Sequence, residues 1–377
     1  MKPDGAPGSE GRLHVRTRTG SYPVLVGRGL LQRLAGIVDE FARVDRVGLV
    51  TDDRVGPLHA ERVAEQCRRA GLDVTYLTVP AGEASKTRES WSVLTDRMLD
   101  AGLGRDSAVI AVGGGVVTDL AGFVAATYLR GVPVVQVPTS YLAMIDASVG
   151  GKTGVDVRAG KNLVGAFHPP AVVVADTDVL ATLPTVERAG GLVEGVKHGA
   201  ALDEGHFEAF ERAAPVLLDA DADAAASYVL DSVRLKAEVV GTDEREAGYR
   251  QVLNFGHTIG HALESASGFA LAHGAAVAHG MIAEADAGER AGVTAGGTRD
   301  RLEAVLRPLL AAAGARRLTL RPSDVSTFLR VDKKARRGRP RYVLLERVGS
   351  VSRGDNWTYE LPDPLVQDVL TRLLEGC

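Results

Sequence analysis

Between residues 46 and 178 the chain alternates short apolar runs with segments whose apolar residues recur at helical spacing. The runs are RVGLVTD (46–52), DVTYLTVP (73–80), SAVIAVGGG (107–115), PVVQVPT (133–139) and AVVVADTD (171–178). Apolar on successive positions, they predict strands covered on both faces. PLHAERVAEQCRRAG and SWSVLTDRMLDAG, lying between them, carry helical periodicity. This alternation predicts an α/β domain with a mainly parallel sheet. After LPTVERAG (183–190) the β-type runs nearly stop, and alanine- and leucine-rich helical patterns continue to the C-terminus, interrupted once by PRYVLLERVG (340–349). The pattern therefore divides the chain into an α/β domain, residues 1–183, and an α-helical C-terminal domain, residues 184–377. The opening MKPDGAPGSEG is polar and rich in Gly and Pro, so residues 1–11 read as a flexible tail rather than a signal peptide. No internal repeat is evident.

Composition narrows the function classes. The 377 residues are 45% hydrophobic and 24% charged, with a formal net charge of −4, an ordinary globular profile. No basic face is implied, which argues against nucleic acid as the main partner. No apolar run approaches the roughly 18 residues of a membrane span, so a cytoplasmic protein is expected. The two cysteines, Cys67 and Cys377, are too few for a disulfide framework or a Cys-type zinc site.

Glycines mark a phosphate cradle. GGGVVTD (113–119) lies between a strand pattern and a helix pattern, where backbone N–H groups can approach a phosphate at a helix N-terminus. It is not the Rossmann fingerprint, because Thr118 occupies the last glycine position of G-x-G-x-x-G. AGEASKT (81–87), closing an earlier strand, adds an acid and a lysine in a second loop. Two such loops on one sheet suggest a nucleotide. The stretch 141–170 reads as a long functional loop carrying Asp146, Lys152, Lys161 and Asn162. Its GGKTG lacks Walker A spacing, which disfavours a P-loop NTPase. Single lysines set in glycine-rich backbone suit phosphate oxygens better than a solvated face does.

The C-terminal half holds the candidate metal chemistry. On one helix at about 100° per residue, Arg250, Asn254, His257 and His261 point in directions of about 0°, 40°, −20° and 20°. That narrow polar stripe resembles the wall of a polar site. HTIGH has Thr258 where a zincin carries glutamate, so metalloprotease chemistry is unsupported. His273 opens the next helical segment, and GLVEGVKHGA (191–200) offers Glu194 and Lys197 one turn apart. Two histidines and a glutamate are a common catalytic zinc set that leaves a position open for substrate. Spacing alone makes His257 and His261 the natural metal pair; the bland alternative is one structural and one solvated histidine.

Taken in order, PAGEASKT, GGGVVTDLAGFVAATYLRG, VPTSYLAMIDASVGGKTGVD, GKNLVGAFHPP, LVEGVKHG, LKAEVV, DEREAGYRQVLNFGHTIGHALE, AHGAAVAHGM and VDKK resemble the 3-dehydroquinate synthase family of sugar-phosphate cyclases. The resemblance runs over roughly residues 22–350 and is specific in combination. It implies an N-terminal NAD-binding domain, a helical metal- and substrate-binding domain, an active site between them, and a homodimer. It also implies a carbon–oxygen lyase that converts 3-deoxy-D-arabino-heptulosonate 7-phosphate (DAHP) to 3-dehydroquinate and phosphate in the shikimate pathway. The implied cofactors are NAD and a divalent metal, zinc or cobalt.

Residue by residue, the resemblance assigns the metal to Glu194, His257 and His273, displacing the His257/His261 pairing. It assigns the substrate phosphate to Lys152, Asn162, His261 and the Lys333–Lys334 pair, with Arg130 reaching the partner subunit's phosphate site. The substrate's carboxylate and hydroxyls fall to Lys197, Lys236, Arg250 and Asn254, with Asp146 nearby. NAD contacts fall on Asp52, Glu83, Lys86, Gly115, Val116, Asp119, Thr139, Ser140, Lys152, Lys161, Thr182 and Leu183.

Three positions depart from the family pattern. Thr118 stands for the usual glycine of GGGVVGD, Ser140 for a common threonine, and Asp156 for a frequent asparagine. A β-carbon at residue 118 puts the backbone approach to NAD in question. Two other functions compete: a secondary-metabolism cyclase acting on sedoheptulose 7-phosphate, and an NAD-dependent polyol dehydrogenase that releases NADH. A non-catalytic NAD- and metal-binding protein is disfavoured by the intact Lys152, Lys197, Lys236, Arg250 and all three metal ligands.

Overall fold

A computed structural model describes residues 10–315, 318–331 and 339–376. The chain forms two compact units. The first comprises Met1–Leu183 with Asp219–Gly241, and the second Pro184–Leu218 with Thr242–Cys377. The segment Asp219–Gly241, expected in the helical domain, thus clusters with the α/β unit.

The first unit is built on a seven-stranded sheet. In chain order its strands are β1 (Gly11–Thr17), β2 (Gly20–Gly27), β3 (Arg46–Asp52), β4 (Asp73–Val79), β5 (Ser107–Gly113), β6 (Val134–Pro138) and β9 (Val172–Asp176). They lie in the order β1-β2-β9-β6-β5-β3-β4, parallel except for β1 against β2. The run of successive apolar positions has a simple cause. Ala108, Ile110 and Val112 of β5 enter one core, with Leu49, Val63 and Val135. Val109 and Ala111 enter the core on the opposite face, with Val50, Leu94 and Val134. Helices α1 (Leu34–Phe41), α2 (Glu61–Arg69), α3 (Arg88–Asp100) and α4 (Gly115–Thr127) connect and cover the strands, and α7 (Ala222–Thr242) lies almost wholly in this unit.

Two expectations need correction here. Residues 1–9 lie outside the described residues, but Gly11, assigned to a flexible tail, is already the first residue of β1. The stretch 141–170, expected as a loop, contains a short helical turn, Ala143–Ala147, and a hairpin of β7 (Lys152–Val157) and β8 (Gly160–Phe167). The hairpin packs on α4, a helix buried on most sides. A Cβ at Gly122 of that helix would stand 2.5 Å from Thr153 Cγ2, so glycine lets hairpin and helix approach closely.

The second unit is helical, with α5 (Thr185–Leu202), α6 (Glu204–Leu218), α8 (His257–Ala266), α9 (His273–Arg290), α10 (Thr298–Ala312), α11 (Pro322–Val331) and α12 (Asp363–Gly376). Its core joins Ile259 and Leu263 of α8, Ala276 and Ala283 of α9, and Val369 and Leu370 of α12. The β-like run 340–349 yields only the short strand β10 (Leu345–Arg347), paired with β11 (Ser350–Val351), and an isolated bridge from Tyr342 to Tyr359. Among the described residues no helix is long and apolar enough to cross a membrane.

Candidate active site

The strand order places the first unit's candidate residues along one edge. From β3 the chain moves outward to β4, then returns to form β5 on the other side of β3. Such a reversal leaves a crevice at the C-terminal strand ends, where α/β sheets bind ligands. Asp52 ends β3, Glu83 and Lys86 follow β4, and Gly115, Val116 and Asp119 follow β5. Thr139 and Ser140 follow β6, and Thr182 and Leu183 close the turn after β9.

Each of these positions has a local cause. Asp52 Oδ1 accepts the N–H groups of Arg54 (2.9 Å) and Val55 (2.8 Å), shaping the turn after β3. A Cβ on Gly113 would lie 2.5 Å from Val117 Cβ, so only glycine lets β5 pass this closely into α4. Helix α4 has no side-chain cap, which leaves N-terminal amides that can bind an anion. Thr118 is 1% exposed and its hydroxyl donates to Gly115 O (3.0 Å). Its side chain is therefore buried, whereas Gly115 and Val116 are partly exposed. Ser140 Oγ accepts the N–H of Ala143 (3.3 Å), and Thr182 Oγ1 bonds His59 Nε2 at 2.8 Å. Asp156, another departure from the pattern, accepts the N–H of Asn162 (2.8 Å) and thereby holds the hairpin turn.

Among the described residues of this unit, two buried lysines pair with partly buried carboxylates. Lys86, 4% exposed, meets Asp119 at 2.5 Å. Burial lowers the pKa of this lysine, but Asp119, Glu83 and Asp156 outweigh it and leave a raised value, so the ammonium stays charged. Lys236 of α7, 5% exposed, donates to the side chain of Asp146 and to its carbonyl (2.6 Å). Lys161 lies 3.7 Å from Glu83, whereas Lys152 and Asn162 are exposed. Arg130 is exposed too, and together with Leu129 it adopts left-handed backbone (φ 72° and 49°), a conformation that costs energy in non-glycine residues.

In the second unit the polar stripe is not one helix. Arg250 and Asn254 lie on a 3₁₀ segment, Tyr249–Asn254, and α8 starts only at His257. Phe255 is extended (ψ 128°) and Gly256 is left-handed (φ 78°), which breaks the helix expected over 250–261. A Cβ at Gly256 would stand 2.4 Å from Met281 Cγ and 2.9 Å from Val277 O, so this break is made by close approach to α9. Asp243 shapes the preceding loop by accepting the N–H groups of Ala247 (3.0 Å), Gly248 (2.7 Å) and Arg250 (3.1 Å). Burial raises its pKa, but these bonds and the Arg250 guanidinium bring it below the usual carboxylate value. Arg250 is 3% exposed and its Nη1 donates to Glu244 O (2.5 Å); Asn254 Nδ2 donates to Glu246.

Glu194, His257 and His273 converge from α5, α8 and α9, with ligand atoms within 4.8 Å of one another. Glu194 Oε1 lies 3.6 Å from His257 Nε2 and 3.5 Å from His273 Nε2. Donors at bonds of about 2.0–2.1 Å in a tetrahedral shell stand roughly 3.4 Å apart, so the separations suit a zinc-sized ion. The remaining ring nitrogens are occupied as metal-binding histidines require. His257 Nδ1 meets Phe255 O at 3.2 Å, and His273 Nδ1 meets Glu264 Oε2 at 3.2 Å. Lys197 pairs with the fully buried Glu194. Without metal, burial lowers the His273 pKa, but Glu194 and Glu264 outweigh burial and lift it to about 9. The protonated ring then stabilises the metal-free fold below about pH 6.5, and that stabilisation is lost as pH rises through about 9. A metal must displace this proton.

His261 stands beside this group, its ring 5.3 Å from His257 and 6.0 Å from His273. A second set of possible ligands, His261, Glu264 and His273, shares His273. His273 turns Nε2 to Glu194 and Nδ1 to Glu264, so the two sets would use opposite nitrogens of one ring. Sequence reasoning had no role for Glu264 in this site or for Asp243, since their partners are set by tertiary contact. Lys333 and Lys334 lie outside the described residues.

Comparison with known proteins covers both halves of the chain. Family profiles for the 3-dehydroquinate synthase N-terminal and C-terminal regions match residues 76–189 and 191–335. A 3-dehydroquinate synthase of Symbiobacterium thermophilum is 47% identical over 339 residues, 88% of this chain and 92% of its own length. The fold resembles that of 2-deoxy-scyllo-inosose synthase, crystallised with carbaglucose-6-phosphate, NAD+ and Co2+ (TM-score 0.86, 24% identity, 96% of this chain and 99% of that one). It also resembles 2-epi-5-epi-valiolone synthase from Streptomyces hygroscopicus subsp. jinggangensis, with NAD+ and Zn2+ bound (TM-score 0.85, 27% identity, 96% and 99%). With both profiles matching and a relative of this identity covering most of its length, the chain belongs to the 3-dehydroquinate synthase family.

Proposed function

We propose that this chain is a carbon–oxygen lyase that converts DAHP to 3-dehydroquinate and phosphate, the step of the shikimate pathway performed by its family. The observation that carries the reading is the convergence of Glu194, His257 and His273 with both imidazoles oriented through their other nitrogens. Its support is the 47% identity to a 3-dehydroquinate synthase, against 27% to the valiolone synthase.

In this reading the α/β unit binds NAD along the strand ends, through Asp52, Glu83, Lys86, Gly115, Val116, Asp119, Thr139, Ser140, Lys152, Lys161, Thr182 and Leu183. Glu194, His257 and His273 hold a divalent metal, zinc or cobalt. NAD supplies reversible oxidation of a secondary hydroxyl, and the metal supplies Lewis-acid polarisation of that oxygen. The chain's own residues position and stabilise charge. Lys197, Lys236, Arg250 and Asn254 hold the carboxylate and hydroxyls, with Asp146 fixing the Lys236 ammonium. Lys152, Asn162, His261 and the Lys333–Lys334 pair hold the phosphate, joined by the partner subunit's Arg130 in a homodimer. The cations stabilise phosphate as it leaves, and the substrate's own phosphate takes the neighbouring carbon-bound proton. The reading places the protein in the cytoplasm.

The redox step cancels over the cycle, so NAD is catalytic. Incubated with DAHP, zinc and limiting NAD, the purified protein should release phosphate over many turnovers per NAD with no accumulation of NADH absorbance. NADH formed in step with substrate consumption would instead identify a polyol dehydrogenase.

A further inference from the structure

Helix α9 also carries a buried carboxyl group that the proposed reaction does not use. Glu284 is 0% exposed. It follows His273 by eleven residues, about three helical turns, so the two side chains share one face of α9 to within roughly 20°. His273 occupies that face at the metal group, and Glu284 occupies it three turns on. What the Glu284 carboxylate grips is the start of α8. Its Oε2 accepts the N–H of Gly256 at 2.7 Å, and its Oε1 accepts the N–H of Ile259 at 3.2 Å.

Those two amides flank His257, the first residue of α8. A helix start leaves N–H groups unsatisfied, and a glycine at the cap position has no side chain to meet them. Glu284 supplies the missing cap from the neighbouring helix, its negative charge facing the positive end of the α8 dipole. The turn so fixed also sets the His257 ring, because Phe255 O, which meets His257 Nδ1, precedes Gly256. Around this pin the backbones touch. A Cβ on Gly280 would lie 1.9 Å from Gly256 O, and one on Gly260 would lie 3.0 Å from Ala276 O. Close contact limits approach of the two helices, and the carboxylate adds a charge-assisted tie that opposes their sliding or separating at the His257 end.

We propose that Glu284 is a positioning residue that sets the metal affinity of the site by clamping the His257-bearing start of α8 to the His273-bearing helix. The inference rests on Glu194, His257 and His273 being the metal ligands, and its test distinguishes failure of that reading from its own. Outer partners of metal ligands typically change affinity about 10- to 100-fold. Glu284→Gln keeps size and one acceptor but turns an NH₂ toward a backbone N–H, so one cap bond is lost.

The test is cobalt binding to the metal-free full chain, measured by chelator competition and by the visible d–d spectrum. Wild type, Glu284→Gln and Glu284→Asp are compared with Leu370→Ala, a cavity variant in the core of the same unit. Glu284→Gln should bind cobalt about 10- to 100-fold more weakly with an altered spectrum, and excess metal should restore its turnover. Leu370→Ala should lose thermal stability yet keep cobalt affinity within about twofold. If Glu284→Gln does not fold, the shorter Glu284→Asp should show the same weakened binding. Cobalt affinity and spectrum unchanged in the folded Glu284 variants would overturn the proposal, as would an equal loss in Leu370→Ala. Wild type that binds no cobalt would overturn the ligand assignment itself.

Discussion

His273→Ala is expected to leave the purified protein without bound metal and to lower turnover of DAHP by at least about a thousandfold. Lewis-acid stabilisation is worth several kcal/mol, and about 1.4 kcal/mol is a factor of ten in rate. His261→Ala is expected to keep the metal and to lose phosphate handling. The two histidines are neighbours, with rings 6.0 Å apart, but their surroundings differ. His273 turns Nε2 to Glu194 and is held from behind by Glu264. Metal analysis of the two variants decides the matter. A metal-free His261→Ala protein would show that the ligand set has been drawn wrongly.

Arg250→Ala is expected to lower kcat/KM for DAHP sharply while NAD and metal still bind. Arg250 is 3% exposed, in a loop that Asp243 folds through three backbone bonds, one of them to Arg250 itself. A guanidinium in this setting can grip a carboxylate with two parallel bonds. Loss of one such desolvated, charge-assisted contact costs about 2–5 kcal/mol, or roughly 30- to several-thousand-fold in specificity. Steady-state kinetics with parallel NAD and metal titrations separates this outcome from a general loss of fold. A variant that turns over DAHP as wild type does would remove Arg250 from substrate binding.

How much was legible before the structure depended on where each residue finds its partners. Strands β3, β5, β6 and β9 were readable because both their faces are buried, which leaves continuous apolar runs. The β7–β8 hairpin was not, since KTGVDV and GKNLVGAF mix lysine and glycine with apolar residues and one side remains exposed. β1 escaped for a similar reason, with Arg12, His14 and Arg16 alternating with Leu13 and Val15 along a strand at the sheet edge. The break at Gly256 was hidden because a single glycine is compatible with a helical pattern; Met281 and Val277 of another helix impose it. In the site, spacing suggested His257 with His261, since only neighbours on one helix can be read from a period. The set that converges comes from three helices, and the family resemblance had to supply it. Glu264 and Glu284 carried no sequence signal, as each acts across a helix–helix contact.

The central claim is the identity of the substrate, and the direct measurement is product formation from two sugar phosphates. Purified protein with NAD and zinc is given DAHP or sedoheptulose 7-phosphate, and cyclic product and phosphate are quantified. DAHP should yield 3-dehydroquinate and phosphate in equal amounts, while sedoheptulose 7-phosphate, lacking the carboxylate for Arg250, should be left nearly intact. Efficient cyclisation of sedoheptulose 7-phosphate with DAHP untouched would contradict the account and identify a cyclase of secondary metabolism.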